Sequence, residues 1–175
     1  MEADYEVEAG GEAPVIEALW PGFVDLRLQP ERIGEIQEVA GVPALAELLL
    51  ALNKTGSPVW TAKCDVWEPE TAELACYVDL LPVADMVFAR WEQAEAFCRE
   101  WVARLVPVSM PECRVELVVR QAIAGEAEGV GVTAYLSATG GDRTCAAEAL
   151  AAALVAFAGA IPCAATPEAT ATKLQ

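Results

Sequence analysis

The sequence predicts an α+β domain built as a two-layer sandwich, with an antiparallel sheet of about five strands and helices on one face. Three observations in the sequence carry that expectation. Short segments alternate apolar and polar residues, as half-buried strands do. Two of the connections between them are short enough for antiparallel hairpins. Between and after the strands, apolar residues recur three and four apart, the spacing of a helix that buries one stripe.

The elements follow in chain order. Residues 1–14 hold five acids, no base and two adjacent glycines, and read as an acidic flexible arm. Trp20-Pro21-Gly22 reads as a turn. In "GFVDLRLQP", Val24, Leu26 and Leu28 alternate with Phe23, Asp25 and Arg27, which predicts the first strand. Residues 31–41 mix helical spacing with glycines and stay open. "PALAELLLALN" is a helix, with Pro43 in its first turn and Leu45, Leu48, Leu49 and Leu52 in one stripe.

"SPVWTAKCDVW" and "LACYVDLL" are the second and third strands, joined across Pro69. Trp60, Ala62, Cys64 and Val66 share a parity with Leu74, Cys76, Val78 and Leu80 once the strands pair. A simple register sets Cys64 opposite Cys76, Lys63 opposite Tyr77 and Thr61 opposite Asp79. A long helix is expected from Asp85, its cap, to Pro107, with Trp91, Cys98 and Trp101 inward. "CRVELVVRQ" and "GVGVTAYLS" form a second hairpin around "GEAEG". A last helix runs from Cys145, capped by Thr144, and the tail at 163–175 is frayed.

The first six elements have the βαββαβ order of a ferredoxin-like fold, with an extra strand and helix. Two duplicated ββα units are the other grouping. Either way, residues 15–162 form one domain.

Composition narrows the function. The net charge of −16 repels phosphate backbones and anionic lipid, which argues against nucleic acid and membrane partners. With no histidine, the chain cannot form Ser-His or Cys-His pairs, and it lacks the commonest metal ligand. Six cysteines show no zinc spacing, and no metal or cofactor is expected. The chain has an acidic start and no apolar run of membrane length. Free thiols then point to a reducing cytoplasm. The glycines of "SATGGDRT" match no phosphate-binding motif and read as a turn before a helix.

The strand parity that faces away from the helices is the candidate site. It comprises Lys63, Asp65, Trp67, Tyr77, Asp79, Arg114, Glu116, Arg120 and Tyr135, with Asp25, Arg27, Thr61 and Thr133 beside them. Mixed charges and flat amphipathic rings suit a surface that meets something. The expected function is a non-catalytic association or small-ligand-binding domain, acting as a homodimer through this face. The alternative is a small histidine-free enzyme or sensor with an acid/base site around Lys63, Asp65 and Asp79. Cys145, at a helix start, is the candidate reactive thiol.

Overall fold

The computed structural model describes residues 1–162; the expected tail at 163–175, with Cys163, lies outside them. Six strands form one sheet: β1 (Glu2–Val7), β2 (Ile16–Ala18), β3 (Val59–Trp67), β4 (Glu73–Pro82), β5 (Cys113–Ala124) and β6 (Ala127–Thr139). The helices are α1 (Pro43–Asn53), α2 (Trp91–Leu105) and α3 (Arg143–Gly159), with short 3-10 turns at Pro30–Glu35 and Gln37–Ala40. The sheet order is β1-β5-β6-β4-β3, with β2 also on β5. β3, β4, β6 and β5 pair antiparallel, whereas β1 and β2 run parallel to β5. The sheet is therefore mixed, where an antiparallel one was expected.

Both corrections behind that difference lie in the N-terminal segment. Residues Glu2–Val7 are a strand, not a flexible arm. Their own alternation explains it. Ala3 and Tyr5 pack on the helix-side core, while Glu2 and Asp4 lie over Arg114 at 3.9 and 3.8 Å. Conversely, residues 23–28 form no strand. The Asp25 carboxylate accepts from the Arg27 amide at 3.0 Å and from its guanidinium at 2.9 and 2.7 Å. That local side-chain turn competes with strand pairing. Without this strand the ferredoxin-like order is not realised. From β3 onward the chain runs hairpin, helix, hairpin, helix.

Alternation along β4, β5 and β6 sorts side chains onto two faces. Leu74, Cys76, Val78, Leu80, Val115, Leu117, Val132, Ala134 and Leu136 join the buried stripes of all three helices in one core. The helices hold each other there too. Trp101 of α2 stacks on Phe157 of α3 at 4.2 Å and donates its indole N–H to the Phe157 carbonyl at 3.2 Å.

A bulge in β3 between Thr61 and Cys64 changes the expected register. Cys64 pairs with Val78, Asp65 with Tyr77 and Val66 with Cys76, while Thr61 pairs with Leu80. Two residues opposing one reverse the parity beyond the bulge. Thr61 therefore turns to the helix side, where Asn53 clips it: the Asn53 amide donates to Thr61 Oγ1 at 2.7 Å, and the Thr61 N–H donates back at 3.1 Å. Trp60 turns to the other face. There it is fully buried in a second apolar cluster with Ile16, Ala18, Leu81, Val87, Ala122 and Ala124. A simple two-layer description therefore fails at this end of the sheet. The Arg27 guanidinium lies 3.8 Å over the Trp60 ring, so the failed strand becomes part of this cover.

Helix α2 begins at Trp91, six residues after the expected Asp85 cap. Phe88 instead makes a bridge with Val130, exchanging hydrogen bonds of 2.8 and 2.9 Å, and Val87 enters the second cluster. The cap of α3 is Asp142, whose carboxylate accepts from the Cys145 amide at 2.8 Å, rather than Thr144.

Gly129 permits the Phe88 bridge. A Cβ there would lie 2.5 Å from the Phe88 carbonyl oxygen and 2.7 Å from Val87. Gly129→Ala should destabilise the fold by about 1–3 kcal/mol, seen as a lower urea midpoint at constant m-value. An unchanged midpoint would show that the segment before α2 does not close on β6.

Candidate functional site

The face left bare by the helices carries its polar residues on neighbouring strands. Tyr77 of β4 lies opposite Tyr135 of β6, and Asp79 lies opposite Thr133. Arg120 of β5 pairs with Gly131, which offers no side chain. The guanidinium instead reaches along the sheet. Its Nη1 donates to the Tyr135 hydroxyl at 2.9 Å and to Thr133 Oγ1 at 3.4 Å. Its Nε donates to Glu8 Oε2 at 2.6 Å. Thr133 Oγ1 in turn donates to Asp79 Oδ1 at 2.6 Å. A continuous polar chain thus crosses three strands: Glu8, Arg120, Thr133 and Asp79, with Tyr135 as a branch.

Asp79 is the unusual member. It is 6% exposed, and no ion pair reaches it among the described residues. Burial pushes its carboxyl up to about 6, against the opposing pull of the Thr133 hydrogen bond, Arg120 and Lys63. The same burial, with Asp79 and Asp65 nearby, pushes the Tyr77 phenol up to about 12. Arg120 loses solvation too, yet its contacts with Tyr135 and Glu8 outweigh that loss and hold its pKa above the ordinary arginine value.

The N-terminal segment roofs part of this face. Glu8 anchors one end on Arg120, and Glu17 approaches Lys63 at 3.7 Å at the other. Lys63 belongs to β3, at the opposite edge of the sheet from β2, so the two edges approach each other over this end. The result is a cavity of about 260 Å3. Pro14, Val15 and Ile16 form its roof, and Lys63, Tyr77, Asp79, Arg120, Thr133 and Tyr135 form its floor and wall. A larger cavity of about 480 Å3 shares Lys63 and Tyr77 and runs toward Trp20, Phe23, Glu38, Cys64 and Asp65. The buried polar chain converges on the smaller one.

The expected site residues do not all come together. Lys63, Tyr77, Asp79, Arg120 and Tyr135 come together around the smaller cavity. Trp67 stands next to it, with its ring centroid 6.3 Å from both Tyr77 and Tyr135, which are 5.9 Å apart. Arg114 and Glu116 lie apart, in an exposed ion cluster with Glu2 and Asp4. Asp65 is exposed beside the larger cavity, and its carboxylate accepts from the Val66 amide at 2.7 Å. Asp25 and Arg27 pair with each other in a turn, and Thr61 faces the helices. Cys145 is exposed in the first turn of α3. Desolvation pushes buried Cys76 and Cys98, and also Cys64, up to about 12, which leaves these thiols inert at neutral pH.

Glu8 and the roof residues Pro14, Val15 and Ile16 escape the sequence reading. The one local signal was the alternation of acids with Ala3, Tyr5 and Val7, which marks a strand leading to Glu8. Among the described residues, no group of three or more acidic or thiol side chains is placed to hold a metal ion, and no helix is long and apolar enough to cross a membrane. No protein family, curated protein or solved structure matches the chain.

The position of Asp79 has a testable cost. Its carboxyl protonates near 6 in the fold, against an ordinary value of 3.8, so the native state binds its proton more readily than the unfolded chain does. This group therefore adds stability as pH falls from about 6 toward about 4, and that contribution is lost as pH rises through 6. Asp79→Asn keeps an acceptor for Thr133 and removes the charge. It should stabilise the protein by about 1–3 kcal/mol at pH 7, with the gain vanishing near pH 4, in denaturation curves taken across that range. A loss of stability at pH 7 would mean that the charge is fully compensated.

Proposed function

We propose that the chain is a non-catalytic small-ligand-binding domain, and that its site is the cavity over Asp79, Thr133, Arg120 and Tyr135. One observation carries the reading: a buried carboxylate, ionised at the expense of the fold, lines a cavity on the side of the sheet the helices leave free. Apolar residues of similar volume would stabilise that position as well or better. Strongly perturbed groups beside a cavity are, on physical grounds, candidates for function. Liquid water takes roughly 30 Å3 per molecule, so the cavity suits a ligand of metabolite size rather than a polymer.

An enzyme or sensor using the same cavity is the alternative. Asp79, titrating near neutrality, is suited to general base work, with Lys63 on the same wall. Asp65 lies outside the cavity and does not support its assigned part.

The test is a fragment library balanced among cationic, anionic, zwitterionic and neutral compounds, screened by ligand-observed NMR. Val15→Trp, at an exposed position of the roof, is chosen to block the cavity while leaving every polar residue of its floor in place. Fragments should bind the native protein, shift the Thr133 and Tyr135 amide signals, and lose binding in V15W. No hit of any charge class, or hits indifferent to V15W and to those signals, would remove the reading. Conversion of a bound fragment would favour the enzyme.

Association of two copies is a second reading, supported by Trp67, which is 38% exposed beside the Tyr77–Tyr135 pair. Light scattering should then give a dimer that Trp67→Glu converts to a monomer. A native monomer at every accessible concentration would remove it.

A further inference from the structure

The remaining hydrogen-bonding capacity of the cavity specifies more than its volume does. Arg120 uses Nε on Glu8 and Nη1 on Tyr135 and Thr133. Among the described residues its Nη2 donates to no protein group, and its side chain is only 12% exposed. Lys63 Nζ has one loose partner, Glu17 at 3.7 Å, and lies 5.3 Å from the centroid of the Trp20 ring. Two cationic donors on the cavity wall are therefore not fully used.

The acceptor side shows the same pattern. Asp79 accepts one hydrogen bond, at Oδ1 from Thr133. A carboxylate has about four acceptor sites, and none of its others is filled by a described residue. The Tyr135 hydroxyl accepts from Arg120 and keeps its own proton to donate. No polar side-chain atom is fully buried without a partner among the described residues. The unused capacity is therefore at atoms that solvent, or a ligand, can reach. Pro14, Val15 and Ile16 close the other side with hydrocarbon.

A simple anion would meet Arg120 and Lys63 but also Asp79. A simple cation would answer Asp79 but leave the open donors of Arg120 Nη2 and Lys63, whose charges Glu8 and Glu17 already face, without an acceptor. A ligand with both a donor cation and an acceptor anion uses the open groups of both kinds. We propose that the ligand is a small zwitterion bearing both an ammonium and a carboxylate, an α-amino acid being the simplest member. Its ammonium meets Asp79, its carboxylate meets Arg120 Nη2 and Lys63, and its carbon chain lies under Val15 and Ile16. This inference rests on the ligand-binding reading above and adds the chemical class to it.

Calorimetric titration of the native protein with the twenty protein amino acids tests it. For the tightest binder, the matching amine without the carboxylate and the acid without the amine are titrated next. At least one amino acid should bind, and each truncation should weaken binding at least ten-fold. Asp79→Asn should abolish the penalty for losing the amine, and Lys63→Met should reduce the penalty for losing the carboxylate. V15W should bind none of them. Suppose a truncated compound binds as tightly as the parent, or only fragments of another charge class bind, still blocked by V15W. The zwitterion is then wrong and the ligand-binding cavity stands. If nothing binds in either experiment, both fall.

Discussion

A single constraint organises this molecule: all three helices bury their stripes on one side of the sheet, and the other side must find partners elsewhere. Strand geometry makes the problem unavoidable, because every second side chain points away from the helices. At one end, the answer is apolar. Trp60, Leu81, Ala122 and Ile16 form a second cluster under the N-terminal segment. Further along, the answer is polar, as Glu8, Arg120, Thr133 and Asp79 hydrogen-bond one to the next. The cavity occurs where the apolar cover ends and the polar chain begins.

The N-terminal segment therefore does two things. As β1 it extends the sheet beyond β5, and after a connection whose Pro14 and Val15 line the cavity it rejoins β5 further along as β2. Its two ion contacts differ in weight. Arg120 with Glu8 is short and mostly shielded, whereas Lys63 with Glu17 is long and exposed. Exposed pairs contribute at most about 1 kcal/mol, so the Glu8 end is the firm anchor and the Glu17 end the soft one. Under the proposed function, Asp79 sets binding and stability against each other, as expected where a fold tolerates strain for a site.

Much of this was legible along the chain. The alternation of Leu74, Cys76, Val78 and Leu80 against Tyr77 and Asp79 identified both faces of β4, and β5 and β6 followed the same rule. The leucines of α1 and the Trp91–Trp101 spacing of α2 located their stripes. Where the reading failed, a local competitor had won. The Asp25–Arg27 turn defeated a strand pattern of the right period. A bulge after Thr61 reversed a parity that continued unbroken in the sequence. The start of α2 yielded to a bridge with Val130, some forty residues away.

By itself, the sequence determined which residues lie on which face of the regular strands, because period-two alternation is a local property of the backbone. It also determined the chemical character of the bare face: acids, bases and rings together in a chain without histidine. Only the tertiary structure decided that Glu2–Val7 pairs parallel with β5, that Glu8 meets Arg120, and that Lys63 and Asp79 share a cavity. Those are contacts between residues far apart in the chain. Their partners are selected by burial and charge compensation in three dimensions, and no periodicity along one strand records them.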